Sequence, residues 1–224
     1  MILKRVISKN KFYWSKKSFV LSAISSFAIL VIALIINYFA GAYALSRISN
    51  GVKDLLLDHL PIVDVGIIVL EASILFVFGT LICLFLTPQK LPFTIKSIAL
   101  FLTIRSIFIS LTHLAPYLGI EYQQSFVEQD SLISKFTFGG DLFFSGHTGL
   151  PFLLALLFWQ NKPLRVLFLI ASFISGGAML LGHLHYSIDV FAAFFITYAI
   201  FDLSKWLFRR DHLLFKNGFS MDSK

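Results

Sequence analysis

The chain has 224 residues, of which 57% are hydrophobic and 14% are charged, and its formal net charge is +7. Soluble domains carry about 25% charged residues, so this composition excludes an ordinary soluble protein and predicts an all-α integral membrane protein. The basic excess of such a protein sets its orientation in the bilayer, and we therefore expect no nucleic-acid partner.

The predicted elements begin with a basic segment, residues 1–17, and an apolar stretch that is too long for the core of a cleaved signal peptide. We interpret this stretch as a retained first membrane helix. Further apolar runs follow, with prolines near their ends, and each span takes roughly 20 residues. The pattern predicts a six-transmembrane-helix bundle within one membrane domain, residues 18–208, and a basic tail, residues 209–224. The six spans are roughly 18–43, 61–87, 92–115, 145–160, 163–183 and 187–208.

Lysine and arginine are divided unevenly between the two sets of connecting segments. Fifteen of the 19 lie in the N-terminal segment, in alternate connections or in the tail, whereas three lie in the other loops. Because basic residues stay on the cytoplasmic side, both termini are expected in the cytoplasm. The loops before spans four and six then share the outer face. The short loops favour a bacterial inner-membrane protein with a periplasm-facing site.

Two polar motifs stand at these outer loops, GGDLFFSGHTGLP at 139–151 and GHLHYSIDV at 182–190. His185 and Asp189 are four residues apart, a spacing at which helical residues share a face. A carboxylate bonded to one imidazole nitrogen leaves the other nitrogen free as a nucleophile or base. His147 comes from the first motif. Two histidines suit a two-step group transfer, in which one attacks and the other protonates the leaving oxygen.

Other residues of the first motif favour an anion such as phosphate. Ser145, the Gly146 amide and Thr148 stand at a predicted helix start, where unpaired N–H groups and the helix dipole attract negative charge. Asp141 would cap this helix or hold His183.

A zinc site is the alternative interpretation of the same constellation. His147, His183, His185 and Asp189 are all plausible zinc ligands. We expect the group-transfer site, without a metal.

The two motifs resemble those of the sphingomyelin synthase family, a branch of the type 2 phosphatidic acid phosphatase superfamily. The resemblance covers residues 139–205 well and is faint before them, where LPIVD at 60–64 and the surroundings of Arg105 are somewhat similar. The matching residues are Gly140-Asp141, Ser145-Gly146-His147-Thr148 and His183-x-His185-Tyr186-Ser187-x-Asp189-Val190.

This resemblance implies a set of roles. His185 would attack the phosphorus of a phospholipid, and Asp189 would orient and activate it. His147 would protonate the departing diacylglycerol oxygen and then activate the acceptor hydroxyl. In the family, ceramide accepts phosphocholine or phosphoethanolamine from the enzyme. No cofactor is implied, and Arg105 would help to stabilise the developing charge.

Asp64, Glu71 and Arg105 lie within the second and third predicted spans, where charge is costly and usually faces a cavity or a partner. Asp64 and Glu71 are seven residues apart and so lie on one face of the second span. We expect Asp64 to face the site, and Glu71 either to pair with Arg105 or to bind the head group. Three tyrosines offer aromatic faces to a choline or ethanolamine cation: Tyr117, Tyr122 and Tyr186.

We therefore predict a lipid phosphotransferase that moves a phosphate-linked head group from a phospholipid to a lipid alcohol such as ceramide, through a phosphohistidine. Its catalytic residues are His147, His185 and Asp189. Its substrate-binding residues are Asp64, Arg105, Asp141, Ser145, Gly146, Thr148, His183 and Tyr186. One alternative is hydrolysis at the same site, as in a lipid phosphatase or a phospholipase C-like enzyme. The other is a non-enzymatic transporter with a polar path through Asp64, Glu71 and Arg105. The sequence does not indicate the oligomeric state.

Overall fold

The computed structural model describes residues 2–118 and 143–219, and the regular structure in these two ranges is helical, without strands. A short 3₁₀ helix, Pro88–Lys90, precedes the α-helix that begins at Leu91. The α-helices are α1 (Ile2–Trp14), α2 (Lys17–Ser46), α3 (Gly66–Leu86), α4 (Leu91–Leu111), α5 (Gly146–Leu157), α6 (Lys162–Leu181), α7 (Ser187–Leu207) and α8 (Arg209–Asn217).

Helices α2 to α7 lie at the positions of the six predicted spans. Helix Gly146–Leu157 is apolar but shorter than a span, and residues Glu71–Leu86 form an apolar stretch within the 21-residue α3. The all-α membrane class is thus confirmed, whereas the count of six spans and the cytoplasmic orientation of the termini stay predictions. Four described helices are long and apolar enough to cross a membrane: Lys17–Ser46, Pro88–Leu111, Lys162–Leu181 and Ser187–Leu207.

Helix α3, which corresponds to the second predicted span, begins later than the sequence predicted. Residues 61–65 are not helical: the Asp64 carboxylate accepts a hydrogen bond from the Gly66 N–H (3.0 Å), which forms a local turn around Val65, the N-cap residue of α3. The N–H of Val63 donates instead to the carbonyl of Leu181 (2.9 Å). The expectation that Asp64 and Glu71 share one helical face was therefore wrong, since Asp64 precedes the helix.

Helix α5 lies at the centre of the bundle. Most of its residues are buried, and it packs mainly against α6 and α7. Gly149 allows this close approach, because a Cβ there would lie 2.7 Å from the Phe101 ring and 2.8 Å from Thr197 Oγ1. The surrounding core is rich in buried phenylalanine and leucine, including Phe93, Phe101, Phe144, Leu153, Leu154 and Phe158.

The outer faces of the long helices are apolar. Leu21 and Phe39 on α2, and Phe195 and Trp206 on α7, are all at least 66% exposed. An apolar surface of this extent is suited to contact with lipid rather than water. It agrees with the membrane class inferred from composition.

The chain ends meet at the end of the bundle where α4 begins and α7 finishes. Tyr13 of α1 stacks on Phe219, and its hydroxyl accepts the Phe219 N–H (3.2 Å). Lys96 and Asp211 form an ion pair of 2.6 Å, and Ser22 donates to the same carboxylate. Helices α1 and α8, which lie in the two basic terminal segments, thus pack on the bundle at the end opposite the polar motifs.

Candidate active site

The second motif places His185 against a buried carboxylate. His185 Nδ1 lies 3.3 Å from Asp189 Oδ2, and the same oxygen accepts the Tyr186 N–H (3.1 Å). Asp189 is 0% exposed and His185 is 6% exposed. His185 precedes α7, which begins at Ser187. The contact therefore arises because Asp189 reaches back from the first turn, not because the two residues share a helical face.

The first motif begins the central helix. Ser145 is the N-cap of α5, and its Oγ accepts a long hydrogen bond from the Thr148 N–H (3.4 Å). The Ser145 N–H donates to the main-chain carbonyl of Asp189 (2.9 Å). This bond joins the starts of α5 and α7, so the structure brings together two motifs that are separated by 30 residues or more in sequence.

A cavity of about 320 Å³ lies at this junction. His147 from α5 and His185 from the turn before α7 both line it, and Arg105 from α4 lines the same space. The other lining residues are mostly apolar and come from α2 to α6: Leu34, Asn37, Tyr38, Ala72, Ser73, Phe76, Val77, Phe101, Leu102, Gly146, Leu150, Pro151 and Ser175.

Arg105 supplies a permanent positive charge beside the two imidazoles. It is 6% exposed, and its Nε donates to the carbonyl of Phe144 (3.2 Å). Its side chain also lies over Gly146, where a Cβ would come within 3.5 Å of that nitrogen. Together, the helix start, the guanidinium and the two imidazoles provide hydrogen-bond donors for a phosphate group.

Several predicted substrate-binding residues do not line this cavity. Ser145 and Thr148 are buried, and the Thr148 carbonyl accepts from Ser172 Oγ (2.7 Å). The Tyr186 hydroxyl donates to the carbonyl of Ala115 (2.8 Å) and accepts the Val52 N–H (3.2 Å). Tyr186 therefore bridges two connecting segments.

His183 adopts an unusual conformation next to the site. Its φ of 52° lies in the left-handed region, which costs energy for a residue with a side chain. The ring is buried and packs edge-on against Tyr117, with 5.3 Å between ring centroids. Neither ring nitrogen has a hydrogen-bond partner within the described residues. Asp141 and Tyr122 lie outside the described residues.

The two acidic residues of the second predicted span lie away from the cavity. Asp64 and Glu71 are both exposed, and neither contributes to the cavity lining. Within the described parts of the chain, no ion pair joins Glu71 to Arg105. The polar path that a transporter would need through these residues is therefore not continuous in this structure.

The described residues do not form a metal site. In residues 2–118 and 143–219, no three His, Cys, Asp or Glu side chains are grouped so that they could hold a metal ion. The zinc alternative therefore lacks a ligand set in the described structure.

Sequence reasoning missed four polar residues that line the cavity: Asn37, Tyr38, Ser73 and Ser175. A signal was present for Asn37, because an amide within an apolar span is costly and usually has a function. Ser106 Oγ lies 3.4 Å from its Oδ1, which helps to orient the amide. Reasoning also missed Asp54, a buried carboxylate in the loop between α2 and α3.

A comparison with known protein families matches the part of the chain that carries both motifs. Residues 139–207 match the family model described as PAP2 superfamily C-terminal. The match includes both motifs and supports the type 2 phosphatidic acid phosphatase superfamily, whose members are phosphatases and phosphotransferases, but not the sphingomyelin synthase branch. No curated protein and no solved structure gives a significant match to the chain.

Proposed function

We propose that this protein is a membrane lipid phosphotransferase that carries a phosphate-linked head group on His185 and passes it to a lipid alcohol such as ceramide. One observation carries the proposal: a single cavity is lined by His147, by Arg105 and by a His185 that is bonded to a buried Asp189. His185 supplies the nucleophile for the attack, and His147 supplies the acid that protonates the leaving group. Arg105 supplies the positive charge that stabilises the transition state.

In the first step, Asp189 accepts the Nδ1–H of His185 and holds the tautomer whose Nε2 carries a lone pair. Nε2 attacks the phosphorus of the phospholipid, and the bond from phosphorus to the diacylglycerol oxygen breaks. His147, in its protonated form, gives its proton to that oxygen. Arg105 and the amides at the start of α5 stabilise the negative charge on the phosphoryl oxygens.

In the second step, neutral His147 removes the proton of the acceptor hydroxyl. The acceptor oxygen attacks phosphorus, and the bond to His185 Nε2 breaks, which restores both histidines. Direct transfer requires the reacting atoms to approach within about 3 Å of each other, and residues that line a common cavity can meet this requirement.

The nature of the cavity supports a lipid substrate. Its lining is mostly apolar, and it lies among helices whose outer faces are apolar. Its volume of about 320 Å³ suits a phosphate-linked head group with the adjoining part of a lipid backbone, while the acyl chains extend into the bilayer.

Hydrolysis is the second candidate, and the match to the phosphatase superfamily favours it. Water would then take the place of the lipid alcohol in the second step, and the residues would keep the same roles. In either case we place the site at the periplasmic face of a bacterial inner membrane, in keeping with the distribution of lysine and arginine.

A product assay on the purified protein in liposomes tests the proposal. The liposomes contain labelled phosphatidylcholine, phosphatidylethanolamine or phosphatidic acid, each with and without ceramide, and His185→Ala is the control. A labelled sphingolipid that forms only with ceramide supports the transferase. Release of a soluble head group or phosphate without ceramide supports the hydrolase. Equal turnover by wild type and His185→Ala would reject both.

A further inference from the structure

The loop between α2 and α3 is fastened to the start of α7. Ser49 N–H donates to the carbonyl of His113 (2.7 Å), which joins the loop to the segment after α4. The Val52 N–H donates to the Tyr186 hydroxyl (3.2 Å). Leu57 is 2% exposed and packs against Tyr186. The loop is thus an ordered part of the junction that holds His185.

Asp54 makes the most direct connection in this loop. Its Oδ2 accepts the Ser187 N–H (2.7 Å), which is the first N–H of α7. Its Oδ1 accepts the N–H groups of Leu56 (2.9 Å) and Leu57 (3.2 Å). Asp54 is 7% exposed, so these bonds form largely out of contact with water. Asp54 therefore caps α7 from a distant segment of the chain.

We infer that Asp54 is a positioning residue for the proposed phosphotransfer site, because its carboxylate fixes the turn from which Asp189 holds His185. This inference rests on the proposed function. Tyr186, the residue before α7, does not cap Ser187 itself, since its hydroxyl bonds to the carbonyl of Ala115 and to the Val52 N–H.

The path from Asp54 to the reacting nitrogen is short. Asp54 holds the Ser187 N–H, and Asp189, two residues further on, bonds both the Tyr186 N–H and His185 Nδ1. If the first turn of α7 frays, Asp189 moves and the His185 ring is free to turn. The nucleophile then spends less time with Nε2 directed at the phosphorus.

Three variants separate this role from a general effect on the loop. Asp54→Ala removes the acceptor for the Ser187 N–H. Asp54→Asn keeps an acceptor oxygen of similar reach but removes the charge, and asparagine is as good a helix cap as aspartate. Asp58→Asn is the matched control, because Asp58 lies in the same loop but is exposed and bonds to the Tyr117 hydroxyl (2.5 Å).

Turnover per folded molecule is measured in the liposome assay, with the folded fraction determined by size-exclusion chromatography. We expect Asp54→Ala to lower kcat about tenfold or more with little change in KM, since a hydrogen bond to a charged group is lost. Asp54→Asn should retain kcat within about threefold, and Asp58→Asn should match wild type. A kcat of Asp54→Ala equal to that of wild type would overturn the inference.

The split between kcat and KM tells positioning from a structural loss. Asp54 does not line the cavity, so Asp54→Ala should leave KM for the lipid within about threefold of wild type while kcat per folded molecule falls. Asp54→Asn should recover most of that loss, because its side chain keeps an acceptor oxygen for the Ser187 N–H. A lower folded fraction with an unchanged kcat per folded molecule would mean that Asp54 acts only on folding.

Hydrogen exchange gives a readout that does not depend on turnover. In Asp54→Ala, the amides of residues 187–190 should exchange about tenfold faster than in Asp58→Asn. If wild type turns over none of the lipids, the proposed function fails, and unchanged exchange would then refute the cap as well. If wild type is active and neither kcat per folded molecule nor the exchange of residues 187–190 changes in Asp54→Ala, the positioning role alone is rejected.

Discussion

Replacing Asp189 with asparagine tests how much of the proposed catalysis depends on a single buried charge. Asp189 Oδ2 holds both the Tyr186 N–H and His185 Nδ1, while Oδ1 is buried without a hydrogen-bond partner in the described residues. An asparagine amide oxygen at the Oδ2 position can keep both bonds. The amino group then takes the position of Oδ1, where it does not meet the Tyr186 N–H. The substitution therefore removes the charge and leaves the orientation of the ring.

The magnitude follows from the distance of 3.3 Å between the two groups. At an effective dielectric constant of about 20, unit charges at this separation attract by about 5 kcal/mol. Each 1.36 kcal/mol corresponds to a factor of ten in rate. If half of the attraction is gained in the transition state, kcat falls about 70-fold in Asp189→Asn, and if all of it is gained, kcat falls about 5,000-fold.

Single-turnover transfer of labelled head group in liposomes measures this loss, with His185→Ala as the inactive reference. Asp189→Ala should lose more activity than Asp189→Asn, because it also removes the bonds to His185 and to the Tyr186 N–H. It should be less stable as well, since a buried N–H left without a partner costs about 1–3 kcal/mol. An Asp189→Asn rate within threefold of wild type would refute the electrostatic role.

Four further predictions concern other parts of the molecule. Arg105→Met should lower kcat for head-group transfer by about 10²–10³-fold, and Arg105→Lys should recover part of this loss. A kcat of Arg105→Met above a tenth of the wild-type value would argue against charge stabilisation by this residue. Asn37→Leu should raise KM for the lipid about tenfold and change kcat less than threefold, because the cavity then lacks an amide partner for the lipid backbone. An unchanged KM would show that Asn37 does not take part in substrate recognition. Lys96→Met should destabilise the protein in detergent by about 3 kcal/mol in thermal unfolding experiments, since it leaves the buried Asp211 carboxylate without its cation. The double variant Lys96→Met/Asp211→Leu should recover most of this loss. Burial raises the pKa of Asp54, but hydrogen bonds from the main chain outweigh this effect and hold the pKa below its ordinary value. The contribution of Asp54 to stability is therefore complete above about pH 4 and is lost as the pH falls through the lowered pKa. Thermal unfolding between pH 3 and 7 should therefore show a smaller acid-side decrease for Asp54→Asn than for wild type, and identical slopes would contradict this assignment.

The helices could be predicted because their signal is local. A run of apolar residues of sufficient length specifies a membrane helix almost regardless of its partners. The start of α3 could not be read in this way. Residues 61–65 are apolar enough to extend the run, but the Asp64 bond to the Gly66 N–H and the Val63 bond to Leu181 hold them in a non-helical segment, so that the helix begins at Gly66. A local side-chain bond and a contact with a distant segment leave little trace in hydropathy.

The grouping of the proposed catalytic residues was more predictable than the walls of the cavity around them. His147, His185 and Asp189 stand in compact motifs, and the alternation of loops placed both motifs on one face of the bundle. Asn37 and Asp54 come from segments more than 80 residues away from these motifs. Their roles depend on which helices pack side by side, and a single sequence does not contain that information in readable form.

The contacts also divide the chain into two functional parts. The groups proposed to form and break bonds to phosphorus lie in α5 and at the start of α7, within the region that matches the phosphatase superfamily. Much of the remaining cavity wall is formed by α2, α3 and α4, which lie outside that match. The Ser145 N–H bond to the carbonyl of Asp189 fixes the two histidines relative to each other, independently of those helices. Substitutions in α2 and α3 should therefore change which lipid is accepted more than how fast its phosphoryl group is transferred.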